Sequence, residues 1–486
     1  MIRRPWLVAV AMTAVLWIGA SADAATAQAD AQQASAHYQR GLEHERQRNL
    51  EAAVVEYRAA IAGAPNLADA HDRLGFVLGL QGHTAEAIAE FEQAVALQPA
   101  SFDARYHLGA TLWWTKQLDR ARAELQRAVA LRPAHAEARY YLAVTERQQG
   151  DLAAALDDFR IALRHDPKLT PAHTQLGVVL QQLGDLDGAI VEFHRALALN
   201  PSLADAGNSL GLALMQKGDA ESAARALRAV VKASPDFSEA RLNLGIALMQ
   251  GGSVDEAVAE LRELTTRDPK NAEAFYDLGL ALKQRDDFEA AAAALTEAMR
   301  LDPGLAEAPF TLGVVLWQTG RAEEAIPILK DAIARRPDYA EAHYMLATIL
   351  KQQGQPDAAL EEVRRTLVID PTSAEAHTTL GQLLQANHDA DGARAAFAEA
   401  ERLHKVKADA QAAAFAVNAG LEQLKRKNLA GAIANFRKAV QLAPGNAQAH
   451  FQLALALRRN GQSDEANKEF GAARRLAPYL RPPANP

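Results

Sequence analysis

The stretch of residues 170–203, TPAHTQLGVVLQQLGDLDGAIVEFHRALALNPSL, contains the pattern that decides the fold. Small and apolar residues three and four positions apart predict two helices, each with one packing face. On the first helix these residues are Leu176, Gly177 and Leu180, and on the second they are Ala189, Phe193, Ala196 and Leu197. The pair Gly184-Asp185 indicates a turn between the helices. Pro201 ends the second helix, because a residue that precedes proline disfavours helical geometry.

The same unit recurs along the chain every 34 residues. One register contains 12 of the 20 prolines: Pro65, Pro99, Pro133, Pro167, Pro201, Pro235, Pro269, Pro303, Pro337 and Pro371, then Pro444 and Pro478. If each repeat begins 31 residues before its proline, at Ala34, Ala68 and onward, position 20 is alanine in all 13 repeats. Position 8 is glycine or alanine in all 13, and position 7 is leucine in 11. A regular array of helical hairpins follows from this period.

This unit resembles the tetratricopeptide repeat, which has Leu-Gly early, alanine at position 20, an apolar residue at 24 and proline at 32. The resemblance covers residues 34–480. It implies an all-α, right-handed superhelical solenoid of about 13 helix–turn–helix repeats. It also implies a concave groove lined by the first helix of each repeat. A length of 486 residues would otherwise suggest about three globular domains.

The repeat pattern changes near residue 405. The proline of the eleventh repeat is replaced by Lys405, and five extra residues, 408–412, follow. Glu401 stands at position 28, which is apolar in nine of the first ten repeats. We therefore divide the chain into repeats 1–11 at 34–407, an insertion at 408–412, repeats 12–13 at 413–480 and a proline-rich tail at 481–486. We expect a bend or changed packing between Glu401 and Phe415, through which a helix can continue. Because two repeats alone are only marginally stable, we expect repeats 12–13 to pack against the main array.

Residues 1–22 have the order of a secretory signal peptide. Arg3 and Arg4 precede an apolar run of about 15 residues, which is short of the roughly 20 that a membrane-spanning helix needs. We expect cleavage after Ala22, with residues 25–27 as a second candidate, a linker at 23–33, and a periplasmic or secreted protein with no stable membrane span. An uncleaved N-terminal anchor is the alternative.

Composition excludes several kinds of site. The chain has no cysteine, so disulfides, thiolate zinc sites and cysteine nucleophiles are excluded. Its net charge is −8, and removal of Arg3 and Arg4 with the signal peptide would make it −10. An acidic chain without a basic run does not favour nucleic-acid binding. No cofactor motif is present, so no cofactor is expected.

Two patterns suggest catalysis or metal binding but have simpler explanations. The sequence Gly207-Asn208-Ser209-Leu210-Gly211 matches a hydrolase nucleophile motif, yet it falls inside a first helix without the strand and elbow that this chemistry needs. Histidine occupies position 4 in six repeats: His37, His71, His173, His343, His377 and His450. One histidine per repeat does not converge on a metal, so we interpret position 4 as packing on the preceding repeat.

Charged and apolar positions of the first helix limit the class of partner. Acidic residues recur at position 2, where they complement the helix dipole or, alternatively, form an acidic surface for basic ligands. Some family members bind a terminal carboxylate with Lys and Asn at positions 5 and 9. Position 9 here is apolar in Phe76, Val144 and Leu212, so that mode of binding is not expected.

A row of glutamines is the candidate binding surface. Position 13 is glutamine in seven successive repeats: Gln148, Gln182, Gln216, Gln250, Gln284, Gln318 and Gln352. Large side chains accompany it at Trp113, Trp114, Met215, Met249 and Trp317. By the resemblance, positions 9, 12 and 13 face the groove, where glutamine can pair with an extended peptide backbone. The alternative is that these glutamines are exposed helix formers.

The function expected from the sequence is a non-enzymatic scaffold that binds an extended peptide or partner protein in its groove. The alternative is an accessory subunit of an envelope enzyme or of a polysaccharide-export or secretion complex. An enzyme is the third possibility, but the array leaves no second domain to hold an active site.

Overall fold

A computed structural model describes residues 30–477 and 480, and helices joined by short turns account for all of those residues. The signal peptide predicted at 1–22 and the tail at 481–486 lie outside the described residues. The helices in chain order are α1 (30–46), α2 (Leu50–Gly63), α3 (Ala68–Leu80), α4 (Thr84–Leu97), α5 (Phe102–Trp114), α6 (Leu118–Leu131), α7 (Ala136–Gln148), α8 (Leu152–His165), α9 (Thr170–Gln182), α10 (Leu186–Leu199), α11 (Ala204–Gln216), α12 (Ala220–Ala233), α13 (Ser238–Gln250), α14 (Val254–Arg267), α15 (Ala272–Gln284), α16 (Phe288–Leu301), α17 (Glu307–Gln318), α18 (Ala322–Arg335), α19 (Ala340–Gln352), α20 (Pro356–Ile369), α21 (Ala374–Ala386), α22 (Ala390–Lys425), α23 (Leu429–Leu442), α24 (Ala447–Arg459) and α25 (Ser463–Leu476).

The described part of the chain divides into two compact units, and the boundary between them lies between Leu264 and Thr265. Within each unit the helices pack as consecutive antiparallel hairpins, so the predicted helical-repeat solenoid is confirmed. Residues 30–33, which the sequence placed in a linker, already belong to α1. None of the described helices combines the length and the apolar character needed to cross a membrane.

Repeat 5 shows why each hairpin closes. The turn contains Gly184 at a φ of +82°, a conformation that favours glycine. Asp185 caps α10, because its side chain accepts a 2.9 Å hydrogen bond from the backbone N–H of Gly188. A Cβ atom at Gly177 would lie only 2.6 Å from Cε1 of Phe193, so glycine at position 8 lets this buried ring lie against the first helix.

Alanine at position 3 lets each first helix pack closely on the repeat before it. In ten repeats that follow another repeat of the same unit, this alanine has an exposed fraction of 0 or 1%. These residues are Ala70, Ala104, Ala138, Ala172, Ala206, Ala240, Ala308, Ala342, Ala376 and Ala449. Ala36 of the first repeat is exposed. Burial of position 3 is therefore a sign that one repeat is stacked on another.

The predicted change near residue 405 takes the form of one long helix. Helix α22 has 36 residues and joins the second helix of repeat 11 to the first helix of repeat 12. The insertion at 408–412 is helical, since Lys405 stands where other repeats have a proline. Phe415, at position 3 of repeat 12, is 76% exposed, as expected for a repeat that begins a new stack. The continuous helix and the exposed Phe415 support the predicted change in packing.

The last two repeats have a hydrophobic core of their own. It includes Val417, Phe436, Leu453 and Phe470, and no residue before Ala413. Residues 401–412 of α22 are exposed or only partly buried. Repeats 12–13 are therefore connected to repeat 11 through the continuous helix α22. This differs from the prediction, which had them pack against the main array.

Candidate interaction surface

In eight repeats a basic residue at position 4 links the hairpin to the repeat before it. Nδ1 of His71 lies 2.6 Å from Oε2 of Glu90 on the second helix of the same repeat. Nε2 of His71 lies 3.1 Å from the carbonyl oxygen of Pro65, in the preceding turn. His173 makes the same two contacts, with Glu192 at 2.6 Å and Pro167 at 3.0 Å. The interpretation of these histidines as packing residues is supported by this geometry.

Arginine replaces histidine at position 4 without changing the contacts. Arg105 donates to Glu124 and to the carbonyl oxygen of Pro99, and Arg241 donates to Glu260 and to the carbonyl oxygen of Pro235. The acidic partner always stands at position 23, nineteen residues after the basic one. Sequence reasoning missed this partner, although the pairing of a basic residue with a later acid at a fixed spacing could have revealed it.

The surface formed by positions 5, 9, 12 and 13 of the first helices is called here the first-helix surface. Polar side chains beside it connect successive repeats, from position 5 of one to position 6 of the next. Nδ1 of His107 lies 2.8 Å from Oδ1 of Asp72, and Asn243 donates a 2.9 Å bond to Asn208. Tyr344 and Thr379 repeat the arrangement at 3.3 Å. The repeat pattern alone did not predict these pairs.

The glutamine row lies at the end of this surface. Six of its members are exposed, and Gln148 is partly buried. Two of them accept hydrogen bonds from position 12 of the preceding repeat: Gln216 from Gln181 at 3.0 Å, and Gln352 from Nε1 of Trp317 at 2.8 Å. Met215 and Met249 are partly buried beside the row. Within each unit the structure thus brings positions 12 and 13 of neighbouring repeats into contact, and the role of these residues in binding stays a prediction.

Aromatic side chains gather on the first helices of repeats 2–4. This aromatic cluster consists of Phe76, Tyr106, His107, Trp113, Trp114 and Tyr141. The rings of Trp113 and Tyr141 meet edge-on at 5.3 Å, and those of Phe76 and His107 are 5.3 Å apart. Trp113 is partly buried against the core, whereas Trp114 is 72% exposed. A rigid aromatic base therefore carries one accessible indole ring.

The pKa values of two carboxyl groups on the first helices are strongly raised. Burial raises the pKa of Asp277, at position 6 of repeat 8, to about 7, and the charge of Glu273 adds to the rise. Burial likewise raises the pKa of Glu146 to about 7, with the charge of Asp158 contributing. Glu146 stands at position 11, where most repeats have a buried leucine. Asp277 and Glu146 lie in different repeats, so they do not form a pair with each other for acid–base chemistry.

The hydrolase-like motif is helical, as expected. Residues 207–211 lie within α11, and buried Asn208 donates a 2.9 Å hydrogen bond to Glu239. Within the part of the chain that the structure describes, no group of three or more His, Asp or Glu residues could hold a metal ion.

Comparison with known families agrees with this architecture. Family models described as tetratricopeptide repeat match residues 80–145, 174–236, 208–272, 242–306, 282–349, 316–383, 378–447 and 435–466. The chain belongs to the tetratricopeptide repeat family. The resemblance found in the sequence is thereby confirmed. Tetratricopeptide repeats are typically non-catalytic scaffolds for protein or peptide partners.

Solved tetratricopeptide repeat structures include several similar chains. MamA is 27% identical, with a TM-score of 0.33, over 34% of this chain and 96% of that one. YrrB, described as having an unusual peptide-binding site, is 22% identical, with a TM-score of 0.33, over 38% of this chain and 95% of that one. A tetratricopeptide repeat protein from Parabacteroides merdae is 15% identical, with a TM-score of 0.43, over 51% of this chain and 99% of that one. No curated protein matches this chain.

Proposed function

We propose that this tetratricopeptide repeat protein is a non-enzymatic scaffold that binds an extended segment of a partner protein on its first-helix surface. The observation that carries the proposal is the aromatic cluster of repeats 2–4, in which Trp114 is 72% exposed. Large exposed aromatic rings that rest on a rigid base are enriched among the residues that dominate binding energy.

The neighbouring side chains suit an extended backbone. Beyond the aromatic cluster, glutamines recur once per repeat and offer both donors and an acceptor. Gln182 is exposed and keeps its amide available, while Gln216 and Gln352 already accept one bond each. An amide that accepts one bond retains its N–H donors for a partner's carbonyl oxygen. Aromatic anchoring in repeats 2–4 followed by backbone pairing along the glutamines of the same unit, from Gln148 to Gln250, is the arrangement we propose.

A peptide-display library screened against the full chain tests this proposal. Binding of a selected peptide should change tryptophan fluorescence and weaken about tenfold or more in Trp114→Ala, as for a hot-spot residue. Phe415→Ala is the matched control, since Phe415 is equally exposed but lies at position 3, away from the first-helix surface. Equal affinities of the two variants, with unchanged melting temperatures, would contradict the proposal.

Export is part of the proposal, and it is supported by the order of residues 1–22. In the envelope the protein would act alone as a scaffold or, as the alternative, as an accessory subunit of an enzyme or of a polysaccharide-export or secretion complex. N-terminal sequencing of protein recovered from the envelope should begin near Asp23. Full-length protein in the cytosol would contradict export.

A further inference from the structure

An ion pair joins the second helices of successive repeats at several points. The pair links position 25 of one repeat to position 19 of the next. Arg58 pairs with Glu86 at 2.9 Å, Arg228 with Glu256 at 2.7 Å and Arg437 with Glu465 at 2.8 Å. Glu92 and Arg120 form the same pair with the charges exchanged. The residues at positions 25 and 19 therefore approach each other across the junction between two repeats.

At the junction of repeats 4 and 5 this pair is incomplete. Arg160 occupies position 25, but position 19 of repeat 5 is Gly188, which has no side chain to offer. No carboxylate of the described residues lies within ion-pair distance of Arg160, nor of Arg164 one turn later on α8. A cavity of about 900 Å³ opens here between α8, α9 and α10, and both arginines line it.

The acidic groups that line the cavity are already engaged. Glu192 is held by His173 at 2.6 Å and by Arg195. Asp187 pairs with Lys217, and the side chain of Asp185 caps α10. The cavity therefore has two guanidinium groups without a carboxylate partner.

The rest of the lining is mainly apolar. Leu176 and Leu180 of α9 are buried beneath it. Val191 and Leu199 of α10 border it with exposed fractions of 47% and 41%. A ligand that covers exposed apolar side chains removes their surface from water, which favours binding. Volume, apolar lining and a few fixed polar groups are the features of small-molecule sites.

We propose that the cavity between α8 and α10 binds a small amphipathic carboxylate, whose carboxylate replaces the glutamate missing at Gly188. Guanidinium groups bind carboxylates through paired N–H···O bonds, so Arg160 would hold the charged end. The apolar body would cover Val191 and Leu199. The first helix α9 contributes only positions 4, 7 and 11 to this site, and none of these belongs to the first-helix surface, so the site is independent of the peptide binding proposed above.

Calorimetric titration of the full chain with decanoate tests the site. We expect saturable binding with one strong site per chain. Acetate, which lacks an apolar body, and decyltrimethylammonium, which has the opposite charge, should bind at least about tenfold more weakly. Arg160→Gln should weaken decanoate binding about tenfold or more, as for the loss of a charge-assisted hydrogen bond. Arg228→Gln, which breaks the ion pair with Glu256, should bind decanoate like the wild type.

Gly188→Glu is the decisive variant, because it supplies the missing carboxylate from the chain itself. A Cβ atom at Gly188 would lie 2.6 Å from Oδ2 of Asp185, so the capping carboxylate must turn slightly. Asp151 accommodates Ala154 at the same two positions of repeat 4 and still caps its helix. The variant should fold, pair with Arg160, melt at or above the wild-type temperature and no longer bind decanoate. The proposal is overturned if the wild type does not bind decanoate. It is overturned equally if folded Arg160→Gln and Gly188→Glu bind decanoate as tightly as Arg228→Gln.

Discussion

His377 and Ala396 occupy the two places at which other repeats hold a histidine and a glutamate in contact. Nε2 of His377 keeps the usual contact with the carbonyl oxygen of Pro371, at 3.1 Å. Its Nδ1 is buried and has no hydrogen-bond partner among the described residues, because alanine stands at position 23. Repeat 11 thus keeps one half of a contact that is complete in repeats 2, 5 and 10.

Restoring the missing acid should stabilise repeat 11. Ala396→Glu is expected to raise the free energy of unfolding by about 1 kcal/mol, since it satisfies a buried polar atom. Thermal and urea unfolding measure the change. The same substitution at Ala294 is the control, because position 4 of that repeat is Phe275 and a glutamate there would gain no partner. If the two substitutions changed the free energy of unfolding equally, His377 would not be the source of the stabilisation.

Glu146 should make the stability of the chain fall as pH rises. Its pKa is raised from 4.5 to about 7 in the folded chain, so between these values the unfolded state binds fewer protons. The loss of stability is complete above about pH 7. Glu146→Leu should therefore stabilise the protein by about 3 kcal/mol at pH 8 and much less at pH 4.5.

Thermal unfolding of Glu146→Leu and wild type between pH 4.5 and 8 checks this expectation. Asp277 adds a slope of the same sign to both proteins, so the difference between the two curves isolates Glu146. A difference that does not change with pH would mean that Glu146 is ionised in the folded chain throughout.

Gly177 should not tolerate a larger side chain. Gly177→Leu would drive its side chain into Phe193, and we expect a loss of about 1–3 kcal/mol or more. Gly79→Leu is the control, since Gly79 also lies in a first helix but its nearest neighbour, Cβ of Ala87, is 3.9 Å away. That variant should be neutral or slightly stabilising, because leucine is the better helix former. Similar melting temperatures for the two variants would contradict the close packing.

The middle of α22 should be the first site of proteolysis. Residues 401–412 have little packing to hold them, so local opening costs less free energy there than in any stacked repeat. Limited trypsin digestion should cut after Arg402, Lys405 or Lys407 and release a C-terminal fragment. Substituting all three residues by glutamine should slow this cut. First cleavage inside a stacked hairpin would argue against a weak connection.

The hairpin and its period could be predicted from the sequence because their causes lie within one repeat. The small residue at position 8, the aromatic or aliphatic residue at 24 and the closing proline act between neighbours in the chain. Gly177, Phe193 and Pro201 are therefore enough to define repeat 5. The continuous helix at Lys405 follows from the same local rule, since no proline stops it.

The pairing of side chains between helices was decided by the tertiary structure. Nothing local assigns Asp72 to His107, Gln216 to Gln181, or leaves Arg160 without an acid, because each outcome depends on distances between helices of different hairpins. The sequence determined the repeat, since helix faces and turns follow from residues close in the chain. Only the stacking of repeats decided which polar groups meet, since hydrogen bonds and ion pairs require side-chain atoms within a few ångströms.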